Sequence, residues 1–468
     1  MQIPILSGIY ADETPNYRVS YPKNLVPVAV NTGISDGYLR PAEGITAYGT
    51  GPGINRGAIV WKGVHYRIMG SKLVSIPASG GAAIELGDVG GTFSQCALDY
   101  SFDYLAIVSD GELWLWDGTS LVQNTDADLG TALDVIFIDG YFMTTDGEFL
   151  VVTDLGNPFS VNPLKYGSSE VDPDPVVGII KINNEPWAVN RHTIEVFQNV
   201  GGTLFPFNRI DGSRIDRGAI GRDAFCFFME SLAFLGSARN EAPGIYVGIS
   251  GQSQKISTRE IDQILDEYAE SQLEKSILES RVFDKHQLLY VHLPDQTLVF
   301  DGETSKAAGK PVWYRLSSSV IGNSQYRGRN FIYHKSKWFC GDSLSDAYGY
   351  LDNTLSTHYG QTTGWEFNTP IFYNDAKGGI INELELVGLP GRVPLGIDPV
   401  IWTSYSVDGE TWSQEKAIQA GKIGDRLKRL IWRKQGFMRQ TRIQKFRGTS
   451  DAHLAVSRLE AQLEQLAY

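Results

Sequence analysis

A serine that could act as a nucleophile lies at Ser343, within Gly341-Asp342-Ser343-Leu344. This Gly-Asp-Ser-Leu motif is typical of a group of esterases, and Asp451 and His453 could supply the acid and base of a triad. In those esterases the serine follows the first strand of an α/β fold, whereas Ser343 follows Trp338-Phe339-Cys340 in a region of strand-like patterns. Asp451 and His453 are also one residue too close for the Asp-x-x-His pattern. The sequence therefore favours a turn after a strand over a catalytic serine.

Other patterns that could support chemistry are incomplete. Ser406–Trp412 is similar to the Asp-box of sialidase propellers, but it is one residue short and occurs once. The segment from Asn124 to Val135 partly matches a calcium loop, yet its glycine comes one place late and its twelfth residue is Val instead of Glu. The seven histidines show no metal-ligand spacing. We predict no catalytic residue, no cofactor site and no metal site.

The strongest polar signal is a basic run between residues 422 and 447. It holds ten Lys or Arg and one acid, so its charge is +9, and the rest of the chain carries −22. The run could be a pair of exposed strands with an Arg-rich face, a docking surface for an acidic neighbour, or a phosphate contact. Because the rest of the chain is acidic, a neighbouring copy is a natural partner. The residues predicted to make a protein–protein contact are Arg426, Lys428, Arg429, Arg433 and Lys434.

The elements that must position these residues are short strands joined by tight turns. Asp-Gly suits the tightest hairpins, because both central residues need positive φ and Gly adopts it without steric cost. Most of the eight Asp-Gly dipeptides separate runs rich in Val, Ile, Phe, Trp and Tyr, and they begin at Asp36, Asp110, Asp117, Asp139, Asp146, Asp211, Asp301 and Asp408. Groups of such strands repeat about every 43 residues, which is the spacing of propeller blades.

This pattern predicts an all-β protein: a β-propeller of six or seven blades with one helical insertion and a C-terminal β-sandwich-like domain. Residues 1–53 are irregular and predict an extended N-terminal arm, and 54–357 form the propeller. Residues 257–279 have helical spacing with Thr258 as a cap, so they predict the insertion, which either packs on the propeller or docks a partner. Residues 361–468 form the C-terminal domain, whose last dozen residues fit a strand or a helix.

Composition limits the function classes. The net charge is −13 with a pI near 5.1, which argues against a general nucleic-acid binder, since phosphate neutralisation needs a basic surface. The three cysteines are far apart in apolar surroundings, so we expect free thiols. No apolar stretch of 18 residues is present and the first residues show no secretory signal, so we expect no membrane span.

Several of these features, taken in order, resemble one family. The resemblance runs from about residue 36 to 447 and is carried by Tyr38-Leu39-Arg40-Pro41, Arg56-Gly57, the helical spacing of Ile261, Ile264 and Tyr268, Phe283-Asp284, His286, Leu288-Leu289, His292-Leu293-Pro294, Leu298–Asp301, Tyr326-Arg327-Gly328, Cys340-Gly341-Asp342 and Leu430-x-Trp432-Arg433. The chain resembles the packaged-DNA stabilisation proteins, or tail accessory factors, of short-tailed Salmonella-type phages.

The resemblance implies a structural role in the virion tail, after assembly in the host cytoplasm. Members of that family form a ring, taken to be a hexamer, below the portal–adaptor complex. The ring closes the DNA channel after packaging and carries the tail needle, the tailspikes or both. Double-stranded DNA would pass the lumen without sequence-specific binding, and the acidic balance of this chain suits such a duct because it repels phosphate.

Two other functions remain open from the residues alone. One is a propeller hydrolase acting on glycans, like a sialidase, which needs a carboxylate pair or an arginine cluster converging on the propeller axis. The other is a protein-interaction propeller of cellular origin.

Overall fold

The computed structural model describes residues 2–3, 5, 8–11, 17–29, 35, 37–92, 94–169, 172–249, 251–374 and 377–466. Asp36 and parts of the predicted N-terminal arm, such as residues 12–16 and 30–34, lie outside these described residues. The chain forms two compact units. One, here called the ring unit, comprises residues 47–294 and 327–350; the other, here called the sandwich unit, comprises residues 1–46, 295–326 and 351–468. The domain limits predicted at residues 53/54 and 357/361 differ from these bounds and stay predictions.

Almost all regular structure is β-strand. The first strands are β1 (Gln2–Ile3), β2 (Gly8–Ala11), β3 (Tyr17–Ser20), β4 (Leu25–Val28), β5 (Tyr38–Pro41), β6 (Gly44–Thr50), β7 (Asn55–Trp61), β8 (Val64–Met69), β9 (Lys72–Ser75), β10 (Gly81–Ala82), β11 (Ile84–Asp88), β12 (Ala97–Tyr100), β13 (Leu105–Ser109), β14 (Glu112–Trp116) and β15 (Leu121–Gln123). They are followed by β16 (Asp134–Ile138), β17 (Tyr141–Thr145), β18 (Phe149–Asp154), β19 (Asn157–Ser168), β20 (Val176–Ile182), β21 (Glu185–Asn190), β22 (Ile194–Asn199), β23 (Phe207–Arg209), β24 (Gly218–Ala219), β25 (Phe225–Phe228), β26 (Ser231–Ser237), β27 (Gly244–Ile249) and β28 (Gln252–Lys255).

The remaining strands, which include those of the C-terminal region, are β29 (Ile277–Phe283), β30 (His286–His292), β31 (Thr297–Asp301), β32 (Trp313–Leu316), β33 (Gly328–His334), β34 (Lys337–Asp342), β35 (Ala347–Asp352), β36 (Gly364–Asn368), β37 (Phe372–Tyr373), β38 (Gly379–Gly388), β39 (Val400–Ser406), β40 (Lys416–Gln419), β41 (Leu430–Arg433), β42 (Phe437–Met438), β43 (Thr441–Thr449) and β44 (Val456–Gln465). The described part of the last dozen residues continues β44, so of the two conformations the sequence left open it adopts the strand.

The helical segment is shorter than the sequence predicts. It consists of α1 (Arg259–Asp266) and α2 (Glu270–Leu273), while a third helix, α3 (Gly302–Ala308), follows β31. Thr258 caps α1 as predicted, since its hydroxyl accepts from the Ile261 N–H (3.5 Å). Ala269 has extended φ and ψ between α1 and α2, and β29 begins at Ile277. The apolar residues that have helical spacing therefore belong to two short helices and the start of a strand, and not to one continuous helix. In the described part of the chain no helix is long and apolar enough to cross a bilayer.

The ring unit contains five complete sheets that follow one another along the chain. Their strand orders are β11-β9-β8-β7, β12-β13-β14-β15, β16-β17-β18-β19, β20-β21-β22-β23 and β24-β26-β27-β28, the last with β25 also paired to β26. The β29–β30 hairpin and the strands β33, β34 and β35 follow. The first and last segments of this unit are in contact with each other. The Gly51 N–H donates to the Asp346 carbonyl (2.9 Å), and the Tyr48 ring contacts the Tyr348 ring.

Seven inner strands enclose one cavity of about 480 Å³ in the ring unit. They are β7, β12, β16, β20, β25, β29 and β33, and each of them contacts the next, with β33 returning to β7. Between successive sheets, alternate residues of the strands form buried apolar cores. In one of these cores Val108, Leu115 and Val135 pack together. The inner strands therefore define seven blades, which decides between the six and seven that the sequence left open.

Two-residue turns join the inner strand to the next strand in six of the seven blades. Both turn residues have positive φ, as such tight hairpins require. The turns are Lys62-Gly63, Asp139-Gly140, Asn183-Asn184, Met229-Glu230, Asp284-Lys285 and Lys335-Ser336. Among the described Asp-Gly dipeptides, positive φ at both residues holds only at Asp110 and Asp139. Asp301 instead caps α3 by accepting from the Thr304 N–H (3.0 Å). The tight Asp-Gly turn expected there was wrong, although β31 and β32 on either side of the helix pair antiparallel.

Most of the sandwich unit is formed by two antiparallel sheets with a shared apolar core, and the unit also contains the β2–β3 pair, the β31–β32 pair and α3. One sheet has the order β4-β5-β44-β38-β41 with β1 and β42 attached, and the other has the order β36-β43-β39-β40 with β37 attached. The core between them includes Leu39, Trp365, Leu384, Trp432 and Phe446. Leu25 and Leu39 come from the predicted N-terminal arm, so part of that arm is integral to the sandwich.

Turn geometry generates the first prediction. Gly63→Ala should lower the free energy of unfolding by about 1 kcal/mol, because Gly63 has φ +76°, which alanine adopts only at a cost. Beyond the two adjacent residues, no described atom lies within 4 Å of the added Cβ, so the backbone conformation is the only source of this cost. Gly140→Ala should cost more, since its Cβ would lie 2.8 Å from Leu155 Cδ1. Ser336→Ala, at the equivalent turn position of another blade, is the control and should change stability little. Denaturant unfolding measures all three, and equal stabilities for the two glycine variants and the control would contradict the turn assignment.

Arg442 generates the second prediction. It is fully buried in the sandwich, where it donates to the Gln435 carbonyl (2.8 Å) and Gln444 Oε1 (2.8 Å) and stacks on Tyr405. Arg442→Leu leaves both acceptors without these donors and should cost about 3 kcal/mol. Arg433→Leu removes an exposed guanidinium and should cost less than about 1 kcal/mol. Hydrogen exchange of the β43 amides checks this, and similar protection in both variants would refute it.

Candidate interface and central cavity

The basic run folds as a loop and three strands of the sandwich unit. The loop covers residues 420–429, and β41, β42 and β43 carry the rest. Much of its charge is balanced inside the unit: Arg447 pairs with Glu415 (2.5 Å) and Lys445 with Glu366 (2.9 Å). Arg442 has no acidic partner among the described residues, and burial lowers its pKa to about 10. The +9 of the sequence is therefore not one free surface.

The five predicted contact residues divide into two groups. Arg429 forms a bidentate pair with Glu385 (2.7 and 2.5 Å), and Arg433 lies 3.2 Å from Glu383, its cross-strand neighbour on β38. The hydrogen bond from Arg429 holds the pKa of Glu385 below its ordinary value. These two arginines stabilise the edge of the sheet. Because each already pairs with a glutamate, each is less available to bind a partner protein.

Arg426, Lys428 and Lys434 have no ion pair within the residues that the structure describes. Lys434 lies in a turn after β41, has φ +56° and donates its N–H to the Asn382 carbonyl (2.8 Å). Arg426 and Lys428 lie together on the loop before β41. The one acid of the run, Asp425, accepts from the Lys422 N–H (3.0 Å). The structure therefore leaves the basic charge concentrated on this loop.

A second loop lies against the first. The Gly424 N–H donates to the Gly391 carbonyl (3.2 Å), and a Cβ on Gly391 would be 2.9 Å from the Asp425 nitrogen. Residues 389–396 and 421–428 thus form one tip of the sandwich, here called the loop tip. Its large apolar side chains are exposed, with Leu427 at 97% and Leu395 at 86%. The sequence did not predict these exposed leucines, because Leu427 fits the pattern of a buried apolar residue on a strand.

The central cavity of the ring unit is lined by acids and bases. Asp99, Asp134, Asp223 and Glu279 reach it from different blades, together with Arg222. This is the location where a glycan hydrolase would hold its catalytic carboxylates, so the partners of each acid decide whether it is available.

Three of these carboxylates bind backbone N–H groups of the next blade. Asp99 accepts from Phe137 (2.6 Å), and Asp134 accepts from Ile179 (2.9 Å). Glu279 uses both oxygens, accepting from Asn330 and Phe331 (2.9 Å each). Inner strands of neighbouring blades are thus linked by acids, and these acids are engaged in holding the ring.

Desolvation is the main influence on the cavity carboxyls. Burial raises the pKa of Asp134 to about 7, although its two backbone hydrogen bonds act in the opposite direction. Burial also raises the pKa values of Asp223 and Glu279. Arg222 lies 3.6 Å from Asp223 and donates to the carbonyls of Leu133 (3.2 Å) and Gln95. Arg222, the one arginine among the described residues that line this cavity, thus already has partners in its wall.

The other sequence candidates are structural. Asp342 is buried and pairs with Arg327 (3.0 Å), and the Ser343 N–H donates to the Arg327 carbonyl (2.8 Å). His453 hydrogen-bonds Ser356 (2.9 Å). Asp408 accepts from the N–H groups of its own turn. Among the described residues, no three His, Cys, Asp or Glu side chains form a group that could hold a metal ion.

Comparisons with known proteins agree with this geometry. A sequence model described as bacteriophage P22 Gp10, beta-propeller, matches residues 1–356, and one described as bacteriophage P22 Gp10, beta-sandwich, matches residues 364–464. The tail hub protein gp10 of Salmonella phage P22 is 26% identical over 484 aligned positions, covering 99% of both chains.

Solved structures show only distant likeness. The WD40 domain of Neurospora crassa Pan2 matches with a TM-score of 0.41 and 8% identity, over 66% of this chain and 95% of that one. PorZ, a surface component of the type-IX secretion system of Porphyromonas gingivalis, matches with a TM-score of 0.35 and 11% identity, over 63% and 38%. Scores this low say nothing about function.

The family matches confirm the predicted fold class, the non-enzymatic class and the location in the virion tail. They also confirm the resemblance that the order of sequence features indicated. The chain belongs to the bacteriophage P22 Gp10 family, a family of phage tail structural proteins with a β-propeller followed by a β-sandwich.

Proposed function

We propose that this protein is a ring-forming tail hub that closes the DNA channel after packaging. The observation that supports this most is the match of both halves of the chain to the tail hub family over nearly its full length. Its partners are further copies of itself, six in the ring, the portal–adaptor complex, and a tail needle, tailspikes or both. Double-stranded DNA passes the lumen without sequence-specific binding, which the net charge of −13 favours.

The cavity chemistry supports a rigid spacer over a hydrolase. A retaining or inverting glycosidase needs two carboxyl groups that face substrate and water. Here Asp99, Asp134 and Glu279 accept hydrogen bonds from the neighbouring inner strand, so moving them to meet a substrate would open the ring. The acids act as links between blades.

Assembly tests the proposed function directly. Purified chain mixed with portal–adaptor complexes should yield one species with a fixed number of bound copies by native mass spectrometry. Double-stranded DNA at physiological salt should neither compete with assembly nor bind the free chain, because the chain is acidic. Chain that stays monomeric with portal–adaptor complexes, or that hydrolyses glycans, would exclude the tail hub.

The linking role of Asp134 predicts a pH dependence. The raised pKa means that folded protein keeps a proton which the unfolded chain loses above about pH 4, so the stability contributed by this site falls between about pH 4 and 7. Relative to Asp134→Asn, wild type should lose about 3 kcal/mol over that range. Urea unfolding at pH 4.5 and 7.5 measures the difference.

Asp117 supplies the control for this experiment. Its pKa is lowered by hydrogen bonds from Ser120 and Thr119, so its contribution is already complete above about pH 4. The difference between wild type and Asp117→Asn should therefore stay constant between pH 4.5 and 7.5. A constant difference for Asp134→Asn as well would show that the Asp134 carboxyl ionises normally in the folded ring.

A further inference from the structure

The loop tip combines exposed apolar side chains with unpaired basic charge. Leu427 and Leu395 are almost fully exposed, and Leu389 and Ile423 are exposed by 55% and 54%. A cluster of large aliphatic side chains on two contacting loops is characteristic of a surface that another molecule covers. Basic side chains surround it: Arg392, Lys422, Arg426 and Lys428, against the single acid Asp425.

The loop tip is also held in one conformation. Gly391, Gly421 and Gly424 have positive φ, and a side chain at Gly391 would lie too close to the backbone of Asp425. Within loop 421–428 the Asp425 N–H donates to the Lys422 carbonyl (3.0 Å) and the Lys428 N–H to the Asp425 carbonyl (3.3 Å). A preorganised surface loses little conformational entropy when it binds.

The same chain carries a surface of opposite charge. Residues 260–274, around α1 and α2, contain six acids and no base, and one base borders the segment at each end, Arg259 and Lys275. Asp262 pairs with Lys255 and Glu270 with Arg191. The acids that have no ion pair in the described structure are Glu260, Asp266, Glu267 and Glu274. The segment therefore holds four free acids, whereas the loop tip carries a charge of +3. We call residues 260–274 the acidic segment.

We propose that the loop tip of one copy docks on the acidic segment of the next copy in the ring. This inference rests on the proposed ring and names the contact that closes it. Two different surfaces of one chain that complement each other make a head-to-tail contact, which generates a closed ring when the rotation between copies closes. The exposed leucines supply apolar burial, and the charges set orientation and partner choice.

The test uses charge reversal on both surfaces. The loop-tip variant carries Arg426→Glu and Lys428→Glu, and the acidic-segment variant carries Asp266→Lys and Glu267→Lys. Both should fold, because the replaced side chains are unpaired and lysine at the end of α1 suits the helix dipole. Arg429 and Arg433 are left intact, since glutamate there would face Glu385 and Glu383.

Each variant alone should assemble on portal–adaptor complexes at least about tenfold more weakly than wild type, measured by native mass spectrometry. An equimolar mixture of the two should recover part of the assembly, because in an alternating ring the two new glutamates of one copy face the two new lysines of the next. The variant Lys285→Glu with Lys310→Glu makes the same charge change elsewhere and should assemble normally. Leu427→Gln should weaken assembly without being rescued in the mixture.

The outcomes separate the inference from the proposed function. Wild type that never assembles excludes the tail hub itself. Wild type that assembles while the loop-tip variant assembles equally well overturns the inference and leaves the tail hub in place. Variants that fail alone and also fail when mixed overturn the acidic segment as the receiving surface. If wild type but not the loop-tip variant floats with anionic lipid vesicles, and both assemble, the loop tip binds membranes and the inference is overturned.

Discussion

The structure depends on holding neighbouring inner strands together around the ring cavity. Strands within a sheet share a continuous backbone ladder, but neighbouring sheets of the ring do not. Apolar cores fill the space between them. Beside the cavity, three of the gaps are also linked by a carboxylate that accepts backbone N–H groups, from Asp99, Asp134 and Glu279. At another gap the link between inner strands is a backbone hydrogen bond, which the Leu278 N–H donates to the Asp223 carbonyl (2.8 Å). Burying acids is unfavourable, and hydrogen bonds to the next blade offset that cost.

The sequence predicted the repeat and the fold class because both depend on local patterns. Short apolar runs and turn residues indicate strands and hairpins without any knowledge of distant contacts. The turn chemistry was less predictable. Asn183-Asn184 and Lys335-Ser336 have the same positive φ as Asp139-Gly140, since the right-handed twist of the flanking strands imposes it on whatever residues are present.

The sequence did not predict which strands pair when they lie far apart along the chain. Gln2 and Ile3 pair with Glu460 and Leu459 on β44, and Leu39 lies in the core of the same sandwich. Nothing local in an irregular, proline-containing segment indicates which distant strand it joins. The helical spacing that runs to Ile277 failed for a related reason: a period of apolar residues does not reveal the break at Ala269.

For the interface, the sequence gives net charge and the fold decides which charges are free. Register on β38 and β41 places Glu383 opposite Arg433, and alternation along β43 turns Arg442 into the core. On the loop before β41, Arg426 and Lys428 keep their charge without an ion pair in the described structure, and Leu427 between them is almost fully exposed. Copies that each carry −13 repel one another at a distance, but screening confines that repulsion to about 8 Å at physiological salt. Assembly of such copies therefore requires a short-range contact of opposite charge with apolar burial, and the loop tip combines both.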